Sequence, residues 1–325
     1  MNSGQWIVCT DVTIQQDFIE QAAPFRAELI AHCYRMLGSV HDAEDLVQET
    51  YVRGWRGYAS LQEHAALRSW LYRIATNECL RALENRGRRV LPAGLGAGST
   101  DADALLDDGS GHLWLEPLPD TLTPETAVTA KQSVRLAMAT ALQDLPARQR
   151  AALILRDVVR FSAVEVAELL DTTPAAVNSA LQRARAYLAE VAPTEDGVAE
   201  PDDEPRRELL DRYCSAFERA DIAALTDLLQ ADVRIEMPPI PTWFTGRDAV
   251  TQFLATRAFG RPGDVAIIPT AANGQPAVAD YRRDADGVMS AHAIHVLTTG
   301  PRGVSAITVF LDPTLFTAFG MPLTR

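Results

Sequence analysis

Three stretches of the chain carry side chains whose types and spacing suit recognition chemistry. The first is a helix-turn-helix pattern over 162–188. If Val177, Leu181 and Leu188 face a core, then Ala175, Asn178, Ser179, Gln182 and Arg185 project outward. Asn178 and Gln182 lie four apart and share one helix face. Amide and guanidinium groups on such a face suit base edges in the major groove. The second stretch, 67–89, interleaves Trp70 with Arg68, Arg73, Asn77, Arg81, Asn85, Arg86, Arg88 and Arg89. Cations for phosphates, with amides and a ring for unstacked bases, make a surface for single-stranded or melted DNA. The third, 42–55, mixes acids with Gln48, Arg53 and Trp55. Each stretch also has a plainer reading: a helical hairpin, a solvated basic helix with Trp70 in its core, an amphipathic helix. Helical hairpins are common, so no stretch decides the matter alone.

The last third holds acid–base candidates, Asp232, Asp280, His292 and His295. His292 and His295 are three apart on an expected strand and should face opposite sides, which disfavours a shared metal. Polar residues of a closed core are the plainer account of all four. Cys9, Cys33, Cys79 and Cys214 are scattered without a CxxC, so they read as reduced thiols rather than disulfides or a zinc site. No metal or cofactor is expected.

The elements that must position these residues follow from periodicity and punctuation. Apolar residues at steps of three and four mark helices through 22–91, with Ser39 and Asp42 opening one that runs to Tyr58. Residues 92–124 are rich in Gly, Pro and Asp and read as a mobile acidic linker. Within it, Trp114–Asp120 is too apolar for a spacer and should dock on something. Helices resume over 125–191. Ser162 and Glu165 form a capping box, and Thr173–Pro174 starts the outward-facing helix. A second acidic linker is placed at 192–204. Over 205–325 helical stripes give way to five alternating stretches, 233–237, 265–270, 277–283, 291–298 and 304–310, which predict an α+β domain with a mostly antiparallel sheet.

Charge is distributed by block. The chain of 325 residues carries a net −13, which at first disfavours nucleic acid. The acids concentrate elsewhere: residues 93–130 hold 7 acids and no base, and residues 193–325 hold 19 acids against 12 bases. Residues 21–92 and 131–192, which contain the two DNA-type surfaces, are each mildly basic, and a nucleic-acid partner responds to the local field. No apolar run reaches the roughly 18–20 residues of a membrane span, and no signal peptide is expected. A cytoplasmic protein is the expectation.

Taken in order, the motifs resemble the sigma-70 family of RNA polymerase sigma factors, extracytoplasmic function type. Asp42-Ala43-Glu44-Asp45-Leu46-Val47-Gln48-Glu49-Thr50 is similar to the family's helix for the β′ clamp of polymerase. The stretch Leu67-Arg68-Ser69-Trp70-Leu71-Tyr72-Arg73-Ile74-Ala75-Thr76-Asn77 is similar to its −10 reading helix, and 142–188 to its −35 reading domain. The resemblance implies that Asp45, Leu46, Gln48, Glu49 and Trp55 bind core polymerase, and that the 68–89 set meets −10 DNA. It further implies that Pro174, Ala175, Asn178, Ser179, Gln182, Arg183 and Arg185 meet −35 DNA. Asn178 and Ala180 stand where many relatives carry a base.

The C-terminal part resembles SnoaL-like modules, cone-shaped α+β domains, through Met237-Pro238-Pro239, Trp243-Phe244-Thr245-Gly246-Arg247 and the tail from Phe310 to Pro322. Some such modules are cyclases or isomerases. The implied architecture is two all-α sigma domains, the second a helix-turn-helix, then an α+β cone. The implied partners are core polymerase, through its β′ clamp and β flap, and promoter DNA. A pocket near Trp243, Phe244, Asp280 and His292 would take a small ligand, and the cone would regulate the sigma part in cis. Rival readings are a SnoaL-like isomerase or hydrolase with a DNA-binding half, and a helix-turn-helix repressor, although a repressor has no use for a melted-DNA surface.

Overall fold

A computed structural model describes residues 17–61, 66–84, 86–106, 108–109, 111–123, 134–191, 204–300 and 302–325. The chain divides into two compact units: residues 1–88, 122–134 and 141–192 in one, and residues 89–121, 135–140 and 193–325 in the other. Most of linker 192–204 and the start of the 125–191 block lie outside the described residues.

The first unit is helical. Helices α1 (Arg26–Leu37), α2 (Val40–Tyr58) and α3 (Leu67–Leu83) pack around Leu29, Ile30, Met36, Val47, Leu71 and Ala75, all buried. Gly38 stops α1 in a left-handed conformation, φ 72°, which glycine adopts without a side-chain clash. One residue on, the Ser39 hydroxyl accepts the Asp42 amide and opens α2. After α4 (Leu136–Asp144), whose first five residues belong to the second unit, and α5 (Ala147–Leu153), a π-helical turn, Ile154–Val158, precedes α6 (Ala163–Leu169) and α7 (Pro174–Val191). The Ser162–Glu165 capping box is present in both directions, and Thr173 Oγ1 accepts the Ala176 amide at 3.2 Å. Val177, Leu181 and Ala184 are the buried face of α7, as their spacing predicts.

In the second unit, α8 (Glu204–Glu218) and α9 (Ile222–Thr226) accompany a sheet of six strands. After a two-stranded pair, β1 (Arg89–Val90) with β2 (Leu113–Trp114), the sheet strands are β3 (Leu229–Met237), β4 (Ile240–Thr245), β5 (Val265–Ala272), β6 (Gln275–Arg283), β7 (Met289–Gly300) and β8 (Gly303–Phe310). Their order is β4-β3-β8-β7-β6-β5. Within this six-stranded sheet, β3 and β8 pair in parallel and every other neighbouring pair is antiparallel. Strand β4, which contains Pro241, is not among the expected stretches. It lies at the sheet edge, where a missing amide donor costs no ladder bond. Helices α10 (Arg247–Phe253) and α11 (Leu315–Ala318) complete the unit.

Residues 89–121 are not the mobile spacer that their composition suggests. Ser99 forms a bridge with Phe244, exchanging backbone hydrogen bonds with Trp243 and Thr245. Pro119 bridges Ala272; Leu118 and Asn273 bond each other twice, and Gly274 donates to Asp120. The Glu236 carboxylate, raised above its ordinary pKa by burial, accepts the Ala93 amide at 2.9 Å. Leu115 and Leu118 are buried, so the apolar piece at 114–120 docks as its composition predicts. Two linker glycines serve contact. A side chain at Gly98 would strike the Trp243 ring, and one at Gly109 (φ 68°) would overlap the Pro239 carbonyl.

Candidate nucleic-acid interface and the cavity of the second unit

The residues expected to meet −10 DNA are largely engaged inside the first unit. Arg68 donates to Glu28 (2.9 Å) and to the Val159 carbonyl, and its guanidinium lies over Tyr72 and Phe161 at 5.0 and 5.1 Å. Arg73 pairs with Asp171 at 2.9 Å. Arg81 pairs with Glu78, Arg86 with Asp42, and Arg88 with Asp144. Arg89 turns into the second unit, donating to the Trp114 carbonyl at 2.6 Å beside Glu116. Trp70 is half-buried against Gly57 rather than in the core. Asn77 is half-buried; Asn85 lies outside the described residues.

Behind this surface, α5 is tied to α1 by Arg150. Its guanidinium donates to the carbonyl of Met36, to Gln143 Oε1 and to the carbonyls of Gln143 and Leu145. Burial pulls its pKa down to about 10, against the opposing pull of Asp144. His32 on α1 meets Thr76 of α3 at 2.9 Å; burial, then Arg35, drives its pKa down to about 3. Across the same region the Tyr72 and Phe161 rings meet edge-on, 5.4 Å apart.

The recognition-type helix α7 is dressed differently. Pro174, Ala175, Asn178, Ser179, Gln182, Arg183 and Arg185 are all exposed. Asn178 and Gln182 make no side-chain hydrogen bond among the described residues. Ser179 accepts from Arg183 at 2.7 Å, and Arg185 pairs with Asp157 at 2.5 Å. On α2, Asp45, Gln48 and Trp55 are exposed, Leu46 and Glu49 are half-buried, and Glu49 holds Arg53 at 2.6 Å.

In the second unit the expected pocket is rearranged. Phe244 is fully buried and stacks on Phe253 at 4.5 Å. Trp243 lies under the linker, its indole N–H donating to the Gly96 carbonyl. Neither lines the cavity of about 190 Å³ that holds His292 and His295. The two histidines share that cavity despite their spacing. Ala291 pairs with Tyr281 and Ala293 with Asp280, so His292 is an extra residue in β7. Such a bulge resets the alternation of faces.

Near the cavity, Tyr213 Oη lies 3.1 Å from His295 Nδ1, His295 Nε2 3.4 Å from Asp280 Oδ2, and Arg282 3.0 Å from the same oxygen. Burial alone would raise the Asp280 carboxyl, but His295 and Arg282 hold it below the ordinary range. Asp232 is an exposed residue of β3. No metal-ligand cluster occurs among the described residues. Cys33, Cys79 and Cys214 are free and buried; Cys9 lies outside the described residues.

Family models agree with this division. Sigma-70 region 2 matches residues 23–89, sigma-70 region 4 matches 135–188, and a SnoaL-like domain matches 210–311. The ECF RNA polymerase sigma factor SigG of Mycobacterium tuberculosis is 47% identical over 312 residues, covering 94% of this chain and 84% of its own length. The chain belongs to the ECF RNA polymerase sigma factors. SigJ of the same organism is 26% identical over 245 residues, covering 73% of this chain and 72% of its own. The crystal structure of M. tuberculosis SigJ shares the fold, with a TM-score of 0.59 at 23% identity, over 94% of this chain and 99% of that one.

As an ECF sigma factor, the protein binds RNA polymerase core and promoter DNA, and no described helix is long and apolar enough to cross a membrane. Sequence reasoning missed three groups that the fold brings to the cavity: Tyr213, Arg257 and, from the linker, Leu106. Tyr213 falls on a helical stripe with Leu209, Leu210 and Phe217, where nothing in the sequence sets it apart from its apolar neighbours. Nothing local in the sequence places Leu106 against residues more than 100 positions away.

Proposed function

We propose that region 2 and region 4 divide promoter reading as their surfaces suggest, and that the C-terminal domain governs them in cis through the linker. In this reading α3, with Arg86 and Arg88, takes the melted −10 strand, and α7 reads the −35 duplex through Asn178, Gln182 and Arg185. The exposed face of α2 around Asp45, Gln48 and Trp55 docks on the β′ clamp. Region 4 meets the β flap, and the protein acts in the cytoplasm with its polymerase.

One observation carries the regulatory part: the segment joining region 2 to region 4 is bonded to the SnoaL-like domain at Ala93, Ser99, Leu118 and Asp120. Elements named −10 and −35 lie about 25 base pairs apart, roughly 85 Å at 3.4 Å per step. Arg73 and Asp171, from the two reading regions, are 2.9 Å apart. Reading both elements at once therefore requires region 2 and region 4 to separate, and the linker sets how far they can. Holding the linker makes its control intramolecular, where even a weak contact is well populated.

The reading gives the cone no catalytic step. An Asp held below the ordinary carboxylate range is tuned away from a general base for neutral pH. In-vitro transcription tests the proposal. Removing residues 205–325 should change promoter-dependent output, and Asn273→Gly, which removes the Leu118 acceptor while tolerating the turn's φ of 57°, should reproduce part of that change. Identical output from all three proteins, in buffer and in cell extract, would defeat cis control.

A further inference from the structure

The cavity of the second unit, about 190 Å³, is somewhat larger than the roughly 150 Å³ dry cavity that admits benzene. Its wall is mainly apolar, with Ile235, Met237, Phe253, Leu254, Ile307 and Val309. Its polar lining is Tyr213, Arg257, Arg282, His292 and His295, with no carboxylate among the described lining residues. Arg282 is already neutralised by Asp280 at 3.0 Å. Arg257 is different. It is exposed and has no carboxylate partner among the described residues. It donates to two backbone carbonyls of the linker, Asp103 at 3.3 Å and Ala104 at 3.5 Å, and its guanidinium lies over the Phe253 ring at 5.9 Å.

The next two linker residues continue over the same site. Thr242 Oγ1 donates to the Leu105 carbonyl, and Leu106, 39% exposed, contributes its side chain to the cavity lining. A cation held by long bonds to neutral carbonyls, beside an apolar cavity that a linker leucine helps to line, is a site with a weak internal occupant. A carboxylate can take the guanidinium in a bidentate pair of opposite charges, a geometry and an attraction that neutral carbonyls do not offer. An apolar body gains by leaving water for the cavity wall.

We propose that this cavity binds a small monocarboxylate with an apolar body. Its carboxylate sits on Arg257 and its body replaces Leu106, so that binding releases linker residues 103–106. Ligand and linker compete for the same groups, and each weakens the other by the same factor. The regulatory consequence rests on the cis-control reading above; the binding site does not.

Calorimetry on the full-length protein with octanoate tests the site, with octan-1-ol as the uncharged control of equal length and acetate as the head alone. Octanoate should bind in the micromolar range, and octanol and acetate at least tenfold more weakly. Arg257→Gln should erase the difference between octanoate and octanol. Leu106→Ala should tighten octanoate several-fold by removing its competitor, and saturating octanoate should speed amide exchange at 103–106. Equal affinity for octanoate and octanol, no octanoate binding at millimolar concentration, or unchanged exchange at saturation would each overturn the proposal. If octanoate binds and frees the linker while promoter-dependent transcription is unaltered, the site stands and the cis-control reading falls.

Discussion

Helices α3 and α7 are the two proposed to meet promoter DNA, and they face their surroundings in opposite ways. On α7, Asn178 and Gln182 are exposed and carry no side-chain bond among the described residues. On and after α3, Arg68, Arg73, Arg81, Arg86 and Arg88 all hold carboxylates of the same unit. The difference follows the chemistry each must do. A duplex reader discriminates by amides and guanidinium groups that can stay solvated until bases arrive. A melted-strand surface is a cluster of cations, and cations close together attract any available acid. The fold supplies those acids internally, so the proposed −10 surface is masked, whereas on α7 Arg185 holds Asp157 but the two amides proposed to read −35 DNA carry no side-chain bond among the described residues. That contrast makes opening of the region 2–region 4 contact the step to perturb.

The largest effect is expected at Arg150. Its guanidinium serves carbonyls from both regions, including Met36 on α1. Arg150→Met keeps the stem and strands those acceptors. With bonds to a charged group worth about 1.5–3 kcal/mol, a loss of about 3 kcal/mol in urea unfolding is expected. Single-stranded −10 DNA should bind more tightly to the variant at a temperature where it remains folded. Unchanged stability would show that the tie between the regions lies elsewhere.

Next is acid sensitivity. His32, neutral and buried, bonds Thr76 on α3, and its pKa is pushed down to about 3 from 6.5. Below pH 6.5 the unfolded chain takes up a proton that the folded one refuses, so stability falls as pH falls, at up to about 1.4 kcal/mol per pH unit. From pH 6.5 to 4.5 that amounts to about 2–3 kcal/mol. The buried face of α7, Val177, Leu181 and Ala184, holds no titratable group. Amide exchange should therefore accelerate in α3 before α7 on acidification, and His32→Leu should flatten the difference. Simultaneous loss of both helices would break the contrast between them.

Much of this was legible in the sequence, for identifiable reasons. The capping box at Ser162 and the apolar stripe of α7 are local patterns, and local patterns survive folding. The docking of 114–120 was legible because Leu115 and Leu118 have no use in a solvated spacer. The linker's order was not. Gly98 and Gly109 read as flexibility, yet they are where the backbone approaches Trp243 and Pro239 too closely for any side chain. Sequence gives the same letter to both uses. The shared face of His292 and His295 was hidden for a related reason. One extra residue in β7 reverses the alternation, and nothing in the strand's composition announces it. The masking of Arg68 and Arg73 depends on Glu28 and Asp171, 40 and 98 positions away, and no periodicity carries that information.

The smallest effect, and the sharpest test of masking, is at Asp171. This residue holds Arg73 at 2.9 Å and sits in the turn between α6 and α7 with φ 48°. Alanine would mix charge loss with backbone strain there, since only glycine and short polar residues visit that region readily. Asp171→Asn removes the charge and keeps the tolerance. Both partners are well exposed, 50% and 72%, and exposed pairs contribute little. Affinity for a single-stranded −10 oligonucleotide should rise, by less than about fivefold. The gain should shrink as salt screens the pair, and binding of duplex −35 DNA, which α7 is proposed to meet with Asn178 and Gln182, should not move. A gain well above tenfold would make this one pair the lock on the −10 surface. A gain that persists at high salt would mean that the turn, not the charge, does the masking. Equal gains on both DNAs would mean that α3 and α7 are masked together, and the contrast between them would be lost.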